Sequence, residues 1–308
     1  MIRRPTVLIL GAGASAHLNY PSSALLRQRI IEELGQPSNT SYKQLLELQF
    51  KDADIVDFVT KFRYSGKISI DSFLEHQSDN VKKIGRCAIA QTLIRFENEG
   101  HLFSETADHV ENNWYYHLFK LMNSSFNDFH ENNVTFITFN YDRSLEHFLF
   151  TALKHTYSKD DKQTEGKLSG LNIIHVHGVL GDLPWQTAEG RSYRSHCPSE
   201  MLLKSAEKIR IMSDDIADVH FLKYAWQKLN EAELICCLGF GYDSANMDRL
   251  RLNDLHQKKV KFQGTCFGVK SAEKDMVNEY FSNGRYAIQL DDKNFKVSDY
   301  LKEKVSLR

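Results

Sequence analysis

A chain of 308 residues can bury a full core as one large domain or two modest ones, and its 42% hydrophobic and 26% charged residues are those of a globular protein. With 39 Lys+Arg against 40 Asp+Glu, no general polyanion-binding surface is implied, and nucleic acid is not the default partner. The apolar stretch behind Arg3 and Arg4 is too short for a signal-peptide core or a bilayer span, so the expectation is a cytoplasmic protein without a membrane partner.

Residues 7–10 form a continuous apolar run, as a strand buried on both faces in a parallel sheet requires. The run breaks at Gly11-Ala12-Gly13-Ala14-Ser15. Pro21-Ser22-Ser23 then opens a helix whose Leu25, Leu26, Ile30, Ile31 and Leu34 recur at helical spacing until Gly35 stops it. Residues 41–130 carry helical patterns at 42–46, 70–76, 81–99 and 114–129, with hardly a strand-like run among them. This block reads as a helical insertion into a single domain whose core is 1–40 and 131–308. The alternating pattern resumes with a strand at 134–139 and a helix at 143–154. Residues 159–169 are polar and read as a surface loop, and 172–177 as a strand. A mobile lid at 184–199 is a reading the sequence leaves open. Residues 234–238 are a further strand, and 260–267 and 286–290 are weaker candidates. Strands alternating with helices predict an α/β fold, a Rossmann-like doubly wound parallel sheet with a small helical subdomain.

None of the five cysteines forms a C-x-x-C pair, which excludes a zinc ribbon, and their odd number fits a reducing compartment. Cys236 and Cys237 sit inside an apolar run, as buried thiols do.

Ligands of open parallel sheets collect at the carboxyl ends of strands, and four strand ends here carry unusual residues. The turn Gly11-Ala12-Gly13-Ala14-Ser15-Ala16 fits a relaxed G-x-G-x-x-G/A fingerprint, in which glycines admit a pyrophosphate to the backbone. A hydride-transfer enzyme would place an acid at the next strand end, whereas Glu32 and Glu33 fall inside a helical pattern. In Phe139-Asn140-Tyr141-Asp142, Asp142 suits a helix cap and is counted with the nucleotide-binding residues, and the Asn140 amide suits a ribose hydroxyl or a water. In His175-Val176-His177-Gly178, alternation puts both histidines on one strand face. No Asp, Glu or Cys nearby completes a metal set, so no metal is expected. His177 reads as a general base and His175 as a hydrogen-bonded interior residue; Gly178 is counted with the nucleotide-binding residues. The fourth end, Gly239-Phe240-Gly241-Tyr242-Asp243-Ser244, suits a second nucleotide contact through Gly239, Gly241 and Ser244, with Asp243 on a ribose diol.

Taken in order, GAGAS, FNYD, HVHG and GFGYD resemble the sirtuin-like superfamily, and within it the bacterial sirtuin-like NAD hydrolases of antiphage defence. The resemblance implies a Rossmann-like fold, NAD+ as substrate, Asn140 and His177 as catalytic residues, and defence by NAD+ depletion. It also implies a latent, commonly oligomeric enzyme switched on by a partner such as an ATPase subunit or by a phage component. The zinc ribbon and the D-F-R segment of sirtuin deacylases are missing, so protein deacylation ranks low. The alternatives are an NAD+ or ADP-ribose sensor built on the same glycine turns, and a scaffold subunit with a vestigial site. The aromatic run Trp114-Tyr115-Tyr116 fits either an assembly surface or helical core.

Overall fold

The computed structural model describes residues 1–211, 220–255, 260–282, 287–291 and 293–307. Its strands are β1 (Thr6–Leu10), β2 (Val134–Thr138), β3 (Asn172–His175), β4 (Leu234–Leu238), β5 (Lys261–Gly264) and β6 (Gln289–Leu290). They form one parallel sheet in the order β3-β2-β1-β4-β5-β6. That is the order of Rossmann-like doubly wound folds, in which the chain turns back at the crevice between β1 and β4.

Two-sided burial explains why the central strands read as unbroken apolar runs. Leu8, Leu10, Phe136, Cys236 and Leu238 point into one core, and Val7, Ile9, Ile137, Ile235 and Cys237 into the other. Eight α-helices separate β1 from β2: α1 (Ser23–Leu34), α2 (Thr40–Glu47), α3 (Asp52–Tyr64), α4 (Ile70–Leu74), α5 (Asp79–Ile94), α6 (Glu99–Leu102), α7 (Ala107–Asn112) and α8 (Trp114–Leu121). Their buried side chains join the core that holds Leu8 and Phe136, together with α9 (Ser144–Thr156), α11 (Ser199–Glu207) and α15 (Val297–Lys304). The opposite face is covered by α12 (His220–Glu231), α13 (Ser244–Arg249) and α14 (Ser271–Ser282).

Several local expectations change. The polar stretch at 159–169 holds a helix, α10 (Asp161–Leu168), not a loop. Asp160 and Gln163 form a reciprocal capping box at its start, and Thr164 and Leu168 are buried, so two contacts suffice where apolar periodicity is absent. β3 stops at His175, and Val176 and His177 lie in a turn, so strand alternation does not orient His177. The helices at 81–99 and 114–129 end early, at Ile94 and Leu121. The candidate lid at 184–199 is anchored: Arg191 and Tyr193 are buried, and Trp185 stacks on Phe150 with ring centroids 4.9 Å apart. Trp114 and Tyr115 are buried in the core of the chain and offer no assembly surface. Of the last strand candidate, Tyr286 lies outside the described residues and Gln289 and Leu290 form β6. None of the five cysteines is in a disulfide, and burial pushes the Cys236 thiol up to about 12. Among the described residues, no helix is long and apolar enough to cross a membrane.

Candidate functional site

The glycine turns after β1 and β4 press against each other at the crevice. A Cβ on Gly11 would stand 2.6 Å from the Gly239 carbonyl oxygen, and one on Gly13 2.8 Å from the Gly239 Cα. Gly239 has φ +56°, and a Cβ there would lie 2.2 Å from both Ala14 N and Gly13 C. Contacts this close admit only glycine. The amides follow suit: Gly11 donates to the Leu238 carbonyl at 3.1 Å, Gly13 to the Gly239 carbonyl at 3.0 Å and Ala14 to the Gly11 carbonyl at 2.9 Å. These glycines therefore have a packing function independent of any pyrophosphate. Gly13 is exposed and Ala12 half-buried, while Ala14 is buried and its carbonyl accepts from Trp114 Nε1 at 2.8 Å. The His17 ring braces the same turn, with Nδ1 3.0 Å from the Ala14 carbonyl, and burial lowers its pKa to about 3.

β2 delivers Asn140 and Asp142 to this turn. Asn140 Nδ2 donates to the Gly11 carbonyl at 2.9 Å and to Ser15 Oγ at 3.0 Å. With its amide hydrogens spent on the protein, the acceptor Oδ1 is what this half-buried side chain offers a ligand. Ser15 Oγ in turn donates to Asp142 Oδ2 at 2.7 Å, and Asp142 Oδ1 accepts the Ser144 amide at 3.1 Å and the Ser144 hydroxyl. Burial raises the Asp142 pKa against the hydrogen bonds from Ser144 and Ser15, which favour the carboxylate. Asp142 thus knits the Ser15 turn to the start of α9, beyond the helix-end role that its position suggests.

His177 sits beside this loop, its ring centroid 5.5 Å from Phe139 and 6.0 Å from Tyr141, and it is 4% exposed. Its Nδ1 is buried without a hydrogen bond and lies 3.7 Å from Asp71 Oδ1, a residue of α4. The Tyr141 hydroxyl donates to that same Asp71 oxygen, and Ser69 Oγ donates to Oδ2 at 3.0 Å. Burial holds the His177 pKa below its usual value; Asp71 and Glu75 pull it up, and Arg249 pushes it down. Arg249 and Glu75 pair at 3.1 Å, joining α13 to the end of α4. His175 goes to different partners: Nδ1 is 2.9 Å from the Asn140 carbonyl and Nε2 2.5 Å from Glu146. Burial lowers the His175 pKa, but Glu146 and the Asn140 carbonyl together hold it above its ordinary value.

The remaining predicted residues are placed less tightly. Gly178 has φ +75°, and a Cβ there would meet the Lys208 carbonyl at 2.0 Å, so the turn itself demands glycine. Gly241, Asp243 and Ser244 are exposed, and Asp243 Oδ1 caps α13 by accepting the Asn246 amide at 3.3 Å. Behind the site, Glu97 takes bidentate pairs from Arg143 and Arg191, with its nearest contact to each at 2.7 Å. Asp71, Tyr141 and this ion cluster escape a sequence reading, because Ser69-x-Asp71 looks like any helix start. Among the described residues, no group of three or more His, Cys, Asp or Glu is arranged to hold a metal. No family model matches the chain and no curated protein matches it, so the site is read from its own geometry.

Proposed function

We propose that this chain is an NAD+ glycohydrolase, cleaving NAD+ to nicotinamide and ADP-ribose. The observation that carries the reading is the convergence of two glycine turns, Asn140 and the loop beside His177 on the crevice where the sheet order reverses. Open parallel sheets hold dinucleotides at such a crevice, which would put the diphosphate near the exposed Gly13 and Gly241 and the nicotinamide ribose toward Asn140. Nicotinamide leaves as a neutral molecule, so the reaction needs a held ribose and a positioned water more than a strong acid. Asn140 Oδ1 accepts from the ribose hydroxyl or the water, and neutral His177 takes the proton, a contribution of roughly 10²–10⁴-fold. The near-complete burial of His177 fits an enzyme at rest, opened by a partner, by assembly with further copies or by a phage component.

The test is incubation with NAD+ and chromatographic separation of nicotinamide from ADP-ribose, alongside His177→Ala and Asn140→Ala. Release by the wild type, with a loss of at least about a hundredfold in both folded variants, is the expected result. Undiminished release by a folded His177→Ala, or a protein that neither binds nor cleaves NAD+, overturns it.

A further inference from the structure

We propose that Asp71, brought to the crevice by α4 from among the helices between β1 and β2, is the positioning residue for His177, and that Tyr141 fixes Asp71 for that purpose. The inference deepens the reading of His177 as the base and rests on it for its catalytic part.

Three observations carry it. The His177 Nδ1 is buried and makes no hydrogen bond, a costly arrangement for a ring nitrogen unless it serves a purpose. The polar atom facing it is Asp71 Oδ1 at 3.7 Å, a small ring rotation away from a hydrogen bond. Asp71 is held from both sides, by the Tyr141 hydroxyl on Oδ1 and by Ser69 Oγ on Oδ2. A carboxylate fixed in this way favours the tautomer with the proton on Nδ1 and makes Nε2 the nitrogen that takes one, while a hydrogen bond between the ring and the Asn246 side chain also favours the protonated form. Tyr141 directly follows Asn140, so the same loop that presents the ribose contact also sets the base. Among the described residues, the other charges acting on the ring are Glu75, just past α4, and Arg249 on α13, which are paired with each other. Among the described residues, Asp71 is left as the carboxylate beside the ring with no Lys or Arg paired to it.

The experiment follows the His177 imidazole through a pH titration by NMR in the intact protein, for wild type, Asp71→Asn and Tyr141→Phe. Ser72→Ala is the control on the same helix; among the described residues its hydroxyl bonds only the Ser69 carbonyl. Removing the carboxylate charge takes away what favours the protonated ring, so the His177 pKa falls by about one unit or more in Asp71→Asn. It moves less in Tyr141→Phe and stays unchanged in Ser72→Ala. In turnover, the acidic limb of the kcat/KM profile shifts to lower pH in Asp71→Asn, and the plateau drops roughly tenfold or more. An unchanged His177 titration in folded Asp71→Asn and Tyr141→Phe overturns the proposal. A shifted titration in a protein without NAD+ turnover keeps the Asp71–His177 pairing and removes the glycohydrolase instead.

Discussion

Gly239 and Gly241 stand two positions apart and differ in what surrounds them. Gly239 has a left-handed backbone and touches the Gly13–Ala14 peptide, whereas Gly241 has nothing within 4 Å of where a Cβ would stand. Gly239→Ala therefore meets backbone strain and backbone collision together, and is expected to cost about 2–5 kcal/mol in chemical denaturation. Gly241→Ala is expected to leave stability within about 0.5 kcal/mol and, if the proposed NAD+ site is right, to weaken NAD+ binding measured by calorimetry, because the methyl would enter the open space proposed for the diphosphate. Glycines show plainly in a sequence, but the reason for each does not. The motif at 11–13 announces a close approach, and the close partner proves to be another stretch of this chain. Asn140 was readable for the same reason, as an amide at a strand tip. Asp71 was not, because it acquires its meaning from Tyr141, 70 residues away.

The connections between helices and strands are held by buried charge. Glu97 lies just past α5, Arg143 at the entry to α9 and Arg191 in the segment before α11, and all three are nearly inaccessible. Arg143 also donates to the carbonyls of Asp182 and Arg191, both at 2.8 Å, so one guanidinium fastens the segment that composition left open as a lid. Glu97→Gln leaves two buried cations with no counter-ion and is expected to cost about 3–5 kcal/mol in chemical denaturation. A loss under 1 kcal/mol would show that water reaches the cluster. Elements with a strong period were legible: α1 starts behind the Ser22 cap and ends at Gly35, as its sequence indicates. Those held by single polar contacts were not. α10 rests on its capping box, and the turn after β3 takes its form from the left-handed Gly178. Neither leaves a period to read.

The two cores divide the molecule by sheet face rather than by chain segment. Residues of α1 to α5 and α8 share one continuous apolar cluster with β1, β2 and β4, and α11 packs against α5 from the far side of the sequence. One unfolding transition is therefore expected in calorimetry, with calorimetric and van't Hoff enthalpies in agreement. A separate early transition assigned to residues 41–130 would make the helical block an independent unit. The α/β class and the parallel sheet were legible, since two-sided strands leave an unmistakable apolar run. Strand order was not, because runs of similar composition carry no address. It comes from which helices cover which face.

The central strand has a further consequence, for the order in which the chain assembles. β1 emerges first in synthesis, yet Thr6 pairs with Val134 on one side and Leu234 on the other. Both neighbours are distant, so loop closure delays the sheet's centre and makes folding slow relative to a local hairpin or bundle. The Gly11–Gly239 contact can close only after β4 has left the ribosome. A nascent chain carries the first glycine turn, Asn140 and His177 without the wall that completes their crevice. Under the proposed NAD+ hydrolysis, a site built this way is born inert and becomes competent only once β4 has joined the sheet.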